Sequence, residues 1–381
     1  MDFTWTPEQA ALRRAMAELG PRELNTGYSE REARREFHVA GWRACAAAGV
    51  HGLPVPLPLG GGGHDPLTAV GALERLGYGC LDNGLQLSIH AHLWTVVAPL
   101  LAFGTEDQQR RYVPALATGT LVGASAMTEP GSGSDAFALT TRAMRKGDRY
   151  VLSGTKTFVT NGPIADLVVV YATFDRARGA DGISAFIVER GFPGVHAGGP
   201  IATMGLCTSP LGELVLDGCE VPLENLLGRE GGGPAVFTHA MSCERGAILA
   251  GAVGAMERLL EQSIAYARSR RQFGQAIGKF QLVATKIADM KLRLETSRGL
   301  LYACAAQRAS GKSTVLESAL VKLHASESWV RSAEDALAIH GGAGYTTEHG
   351  IERELRDALG SRIYSGTSEI QRQLVASMLG L

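Results

Sequence analysis

Between residues 149 and 216 the chain holds five short β-rich runs, and no helix of the length a parallel crossover requires is read between them. The runs 149–152, 157–160, 166–171, 183–188 and 211–216 are dense in Val, Ile, Tyr, Phe and Thr and are broken by Gly, Pro, Asn and Asp. Parallel neighbours need a connection of about a dozen residues or more, usually a helix. The pattern therefore predicts an antiparallel barrel or sandwich and argues against a doubly wound nucleotide-binding sheet.

Both flanks of this region read as helical. Thr6, Pro7 and Gln9 place a capping hydroxyl, a first-turn proline and a capping-box glutamine in order, and Asp65-Pro66 and Thr105 with Gln108 repeat the device. Gly60 to Gly63 read as a loop, since no Lys-Ser/Thr follows to make a phosphate cradle. After Gly231 to Pro234, Ala/Leu-rich helical patterns run over 235–268, 279–309, 313–340 and 366–379, as in an antiparallel bundle. The expected fold class is α+β: an N-terminal helical domain (1–120), a middle β-domain (121–230) and a C-terminal four-helix bundle (231–381).

Composition excludes several partners. The 37 Lys+Arg balance 38 Asp+Glu and form no basic block, so nucleic acid and anionic membranes are not expected. No apolar run is read as reaching the roughly 18 uncharged residues that a membrane span needs. The N-terminus, Met1 to Trp5, lacks the basic start and apolar core of a leader, which predicts a cytoplasmic protein. The six cysteines are scattered, so neither a zinc site nor a disulfide framework is expected, and they read as small buried side chains. His90, His92 and His340 likewise read as structural, and Arg176 and Arg178 as parts of a solvated turn.

The segment 126–135 packs hydroxyls, two glycines and two carboxylates at a strand end. Gly131, Gly133 and Ala136 mimic a dinucleotide fingerprint, but no strand-turn-helix surrounds them. On spacing alone this is an ordinary turn. Its order and separation from four other segments change the weighing: Lys156 to Gly162, Arg270 to Gly274 with Phe280-Gln281, His340 to Tyr345, and Arg356-Asp357 with Tyr364 to Glu369. Together they resemble the acyl-CoA dehydrogenase family from end to end, and Val221 to Asn225 with Gly228 match its exit from the β-domain.

The resemblance implies FAD as cofactor. It places Met127, Thr128 and Ser134 against the flavin or its phosphates, with Phe158 and Thr160 beside the ring, and Arg270, Phe273 and Gln281 on the FAD of a neighbouring subunit in a dimer or tetramer. Gly342, Thr367 and Glu369 complete the site. Ala338 stands where many relatives have a glutamine at the adenosine end.

A larger departure concerns the base. Most relatives carry a glutamate immediately before the final Gly-Thr, where this chain has Ser365, which has no basicity near neutral pH. Glu244 falls in a helical apolar stripe with Phe237, Met241 and Ile248. An unpaired buried carboxylate is costly and has a raised pKa, so either function or pairing with an arginine accounts for it. The isovaleryl-type branch carries its base on this helix before an arginine, and Glu244-Arg245 matches that placement. The resemblance thus implies Glu244 as base, with the Ser365 backbone N–H polarising the thioester carbonyl.

The expected activity is α,β-dehydrogenation of an acyl thioester, with electrons passing to an electron-transferring flavoprotein or similar acceptor. Ser242 replaces an aspartate that many relatives place near the pantetheine arm, and residues 76–84 look like a variant from secondary-metabolite pathways. The substrate is therefore read as acyl-CoA or an acyl group on a carrier protein. A flavin monooxygenase or oxidase, and a non-catalytic flavoprotein, are the alternatives.

Overall fold

The computed structural model describes residues 4–381. Met1, Asp2 and Phe3, the start of the stretch expected to lack a leader's features, lie outside the described residues. The N-terminal region contains α1 (Pro7–Leu19), α2 (Tyr28–Arg34), α3 (Val39–Ala47), α4 (Pro66–Gly79), α5 (Asn83–His92), α6 (Ala98–Phe103) and α7 (Glu106–Ala117). The capping chemistry read from sequence starts three of them. Thr6 and Thr105 each close a complete capping box, and the Asp65 carboxylate accepts from Leu67 and Thr68 N–H.

One expectation is corrected here. Residues 83–103 contain no Asp, Glu, Lys or Arg and are long and apolar enough to cross a membrane, but they are mostly buried inside the protein. They form α5, a π-helical turn at Leu93–Val97 and α6. This segment runs through the protein core, which requires the same apolar composition as a bilayer.

The middle region forms one sheet from β1 (Gly123–Ala126), β2 (Arg142–Lys146), β3 (Arg149–Thr160), β4 (Leu167–Thr173), β5 (Ile183–Glu189), β6 (Val195–Pro200), β7 (Leu211–Pro222) and β8 (Leu226–Leu227). The order is β6-β7-β3-β2-β4-β5-β8, with β1 beside β4. The runs 149–152 and 157–160 are one strand, β3, whose pairing with β7 slips register twice. The sheet is mainly antiparallel, but β1 pairs parallel with β4, Gly123 opposite Leu167. The long excursion through β2 and β3 serves as the crossover, so no helix is needed. Strands β2 and β6 escape a hydrophobic reading because β2 is mostly charged and exposed, while β6 carries glycines and a proline.

The C-terminal region contains α8 (Gly233–Arg245), α9 (Ala250–Ser269), a hairpin of β9 (Arg271–Gln272) and β10 (Gln275–Ala276), then α10 (Gln281–Ala309), α11 (Val315–His340), α12 (Gly342–Tyr345), α13 (Ile351–Ser361) and α14 (Ser368–Met378). The helix expected over 235–268 is two helices, parted at 246–249. The Glu244 carbonyl accepts from both Ala247 and Ile248 N–H, which tightens the chain out of α-helical register. Gly246 fits there because a Cβ would stand 3.1 Å from Cys304 Sγ.

Helices α4 and α9 touch almost backbone to backbone, since a Cβ on Gly77 would lie 2.1 Å from the Gly251 carbonyl oxygen. A buried polar network joins all three regions. Arg258, on α9, donates to the carbonyls of Gly77, Tyr78 and Cys80 and to Glu354 of α13. Asp357 accepts from Leu206 N–H and from Asn83. Burial pushes the Asp357 carboxyl up to about 7, and the nearby Glu354 charge adds to the effect.

Candidate active site

The end of β1 and the outer half of β3 are bonded to each other, which brings the first two motifs together. Thr157 N–H donates to Thr128 O at 2.9 Å, and Lys156 Nζ reaches Met127 O at 3.2 Å. Lys156 also pairs with Glu129 at 2.8 Å, with both side chains buried. Glu129 accepts further bonds from the backbone and hydroxyls of Thr140 and Thr141. Burial pushes its carboxyl up, but the bonds from Lys156, Thr140 and Thr141 more than reverse this and hold it at about 2. The carboxylate thus anchors the loop and is not available as a base. Beyond it, Phe158 and Asn161 adopt positive φ (53° and 65°), a conformation costly outside glycine. Asn161 is held by bonds to Ser88 O and Gly123 O, and the Phe158 ring is left 61% exposed.

Aromatic contacts lead from this loop to α8, the helix that carries Glu244. Phe137 meets Phe237 of α8 edge-on at 5.7 Å, and Phe237 meets Tyr171 of β4 at 5.6 Å. Met127 packs in the same cluster. The Tyr171 hydroxyl is buried without a hydrogen-bond partner and feels the Glu244 charge.

Glu244 is the penultimate residue of α8 and is 6% exposed. Burial pushes its carboxyl from 4.5 up to about 7, against the opposing pull of the Ser365 hydroxyl, Arg245 and Lys322. Its place near the negative end of the helix works in the same direction as burial. No donor forms a hydrogen bond with it among the described residues. The Ser365 hydroxyl stands beside it, yet at a geometry short of a hydrogen bond, and is itself buried without a partner. Arg245 turns away: its Nε donates to Ser365 O at 3.0 Å.

The turn at Ser365 and Gly366 has positive φ at both residues, 57° and 89°. Four bonds clamp its carbonyls: Arg245 on Ser365 O, Gln371 on both, and Lys322 on Gly366 O at 2.6 Å. With the carbonyls held on one side, the Ser365 N–H has no acceptor among the described residues, as a carbonyl-polarising donor requires. Lys322 is buried, and desolvation, then Arg245, push its ammonium down to about 8.

The remaining expected site residues stand elsewhere. Arg270 ends α9, Phe273 is 93% exposed in the hairpin at positive φ, and Gln281 opens α10. Strand β10 of this hairpin packs on α9, and the turn after it, Ile277–Lys279, packs on both α9 and α10. His340 stacks on Tyr266 at 4.3 Å, which places Gly342 at the same end of the bundle. Thr367 caps α14 through Ile370 N–H, and Glu369 follows in its exposed first turn. Within one chain, Arg270, Phe273 and Gln281 are not part of the Met127 cluster. Ser242, the position expected near a pantetheine arm, accepts from Arg308 through its hydroxyl and carbonyl.

Sequence reading missed Lys322, Tyr171 and Gln371. Lys322 had a faint signal, a lone cation in an apolar stretch of α11. Tyr171 had none, because in a strand buried along its whole length an aromatic residue is what packing alone would select.

The donor set suits a flavin. Thr128, Ser134 and Thr160 keep hydroxyls without a hydrogen-bond partner among the described residues, and a Cβ on Gly131 or Gly133 would meet nothing within 4 Å, so the loop has an open face. Family models for the N-terminal, middle and C-terminal domains of acyl-CoA dehydrogenase match residues 6–120, 124–219 and 231–380. The chain belongs to the acyl-CoA dehydrogenase family. It is 40% identical over 382 residues to an L-prolyl-[peptidyl-carrier protein] dehydrogenase of Pseudomonas fluorescens, with both chains fully covered. It superposes on the crystal structure of the prolyl acyl carrier protein oxidase AnaB with a TM-score of 0.98 at 47% identity, covering 99% of this chain and 100% of that one. PigA, solved with FAD and proline, gives a TM-score of 0.97 at 37% identity, with both chains fully covered. The protein is an FAD-dependent oxidoreductase that dehydrogenates acyl thioesters at a CH–CH bond.

Proposed function

We propose that the chain oxidises the prolyl group of an L-prolyl thioester carried on a peptidyl carrier protein, in a secondary-metabolite pathway. The observation that carries this reading is full-length similarity to two relatives named for prolyl groups on carrier proteins, joined to a site that retains a buried carboxylate at Glu244.

In this reading Glu244 takes the α-proton. A carboxyl at about 7 is largely ionised just above neutrality yet basic enough to accept a proton from carbon acidified by the thioester. The Ser365 N–H donates to the thioester oxygen as negative charge develops there. Arg245, Lys322 and Gln371 keep that N–H aimed by holding the carbonyls of the turn. When bound, FAD supplies the acceptor for the β-hydride. Met127, Thr128, Ser134, Phe158, Thr160, Gly342, Thr367 and Glu369 would hold it.

Exposed Phe273 and the neighbouring Arg270 and Gln281 support a dimer or tetramer in which this hairpin reaches the FAD of another copy; sedimentation at a monomer mass would remove that part. An electron-transferring flavoprotein or similar carrier would receive the electrons. Six free cysteines support a cytoplasmic location.

The test is anaerobic bleaching of the bound flavin by L-prolyl-carrier protein, L-prolyl-CoA and butyryl-CoA. Bleaching by the prolyl carrier, faster than by either CoA ester, is expected. Bleaching by butyryl-CoA with none by prolyl thioesters would overturn the substrate assignment while leaving the dehydrogenase chemistry in place.

A further inference from the structure

One turn beyond Glu244, a cavity of about 20 Å³ lies between α5, α9 and α11, lined among others by Gln86, His90, Ile248, Gly251, Trp329 and Tyr364. That volume admits a single small polar group. Besides apolar residues, Asn83, Trp329 and Tyr364 line it, and two further polar side chains, Gln86 and His90, meet at Gly251. Gln86 Nε2 donates to Cys80 O and Asn83 Oδ1, both at 3.3 Å, which commits its amino group and leaves Oε1 facing Gly251. A Cβ on Gly251 would stand 2.2 Å from this oxygen and 3.5 Å from His90 Nε2, so glycine leaves the space between them open.

His90 Nδ1 accepts from the Trp94 indole at 3.0 Å. Burial pushes its pKa down to about 3, so the ring is neutral and its proton sits on Nε2. Gln86 and His90 therefore offer one acceptor and one donor side by side. Trp329 also lines it, and its buried indole N–H has no partner.

We propose that Gln86 and His90 form a specificity subsite for the ring nitrogen of a cyclic α-aminoacyl group, Gln86 Oε1 accepting its N–H and His90 Nε2 donating to its lone pair. This rests on the prolyl thioester reading above. A neutral secondary amine has one N–H and one lone pair, which matches this pair of groups. An ammonium would turn a second N–H against the imidazole N–H. A purely carbocyclic ring would leave both polar groups buried without partners, a penalty that discriminates strongly against the analogue.

The experiment compares anaerobic flavin reduction by L-prolyl-carrier protein and by cyclopentanecarbonyl-carrier protein, the same ring size without nitrogen. The holoenzyme, Gln86→Leu and Gly251→Ala are used; the alanine methyl pushes Gln86 out of place without altering its chemistry. The native enzyme should prefer the prolyl group by about 10- to 100-fold. Either variant should lose most of that preference while keeping, or gaining, rate on the carbocycle. An unchanged ratio in a variant that holds FAD, or an equal fall on both substrates, overturns the subsite and leaves the prolyl reading standing. If the native enzyme reduces its flavin with neither thioester, the prolyl reading fails and the subsite with it. The carbocyclic arm also reports on folding, and Gly251→Ala decides the matter should Gln86→Leu not retain FAD.

Discussion

Glu244 should be a residue the protein holds at a cost in stability, and Glu244→Gln measures that cost. In the folded protein the carboxyl keeps its proton up to about 7, whereas the unfolded chain releases it near 4.5. Between these values the folded state binds more protons, so stability falls as pH rises through this window, and the loss is complete above it. At about 1.4 kcal/mol per pH unit, the full penalty is about 3 kcal/mol, of which about 2.5 develops between pH 5 and pH 8. Glutamine fills the same space without a charge and escapes this penalty. The stability of Glu244→Gln relative to the native protein should therefore improve by about 2.5 kcal/mol between pH 5 and pH 8, or about 3 °C in Tm for a chain of this size. The assay is thermal unfolding of both FAD-loaded proteins at the two pH values, with anaerobic bleaching alongside. Native bleaching should rise with pH to a plateau above about 7, and the variant should not bleach. A stability gap that does not change with pH would refute the desolvated carboxylate, and a variant that still bleaches would refute its role as base.

Two further outcomes follow from the same geometry. Lys156→Met strands Glu129 as a buried carboxylate beneath the 127–134 loop, so unfolding free energy should drop by about 3 to 5 kcal/mol and FAD should dissociate more readily, as read by melting and flavin fluorescence. Lys322→Met removes one clamp on the Ser365–Gly366 turn without touching Glu129 or its loop, so kcat should fall about 10- to 100-fold while the visible FAD spectrum is retained; an unchanged kcat would show that Arg245 and Gln371 suffice.

The helix starts at Thr6, Asp65 and Thr105 were legible because capping acts over three residues and needs no tertiary partner. The middle sheet was legible in outline for a similar reason: strands without intervening helices restrict topology severely. The parallel β1–β4 pair was hidden, since it joins residues more than forty positions apart and depends on which edge the returning chain meets. The uncharged run 83–103 should have signalled a span by composition, and only its burial within the fold distinguishes a core helix from a membrane one.

The site divides along the same line. Sequence by itself determined that a carboxylate at position 244 lies in an apolar stripe and that position 365 cannot supply a base, because side-chain chemistry and helical periodicity are local properties. Tertiary structure alone decided that α8 ends just past Glu244, that Arg245 bonds the Ser365 carbonyl instead of the carboxylate, and that Lys322, seventy-seven positions along, closes the same turn. Desolvation and hydrogen-bond geometry are set by what packs against a group, and the elements packed against Glu244 arrive from β4, α11 and the turn before α14, segments whose meeting no local pattern encodes.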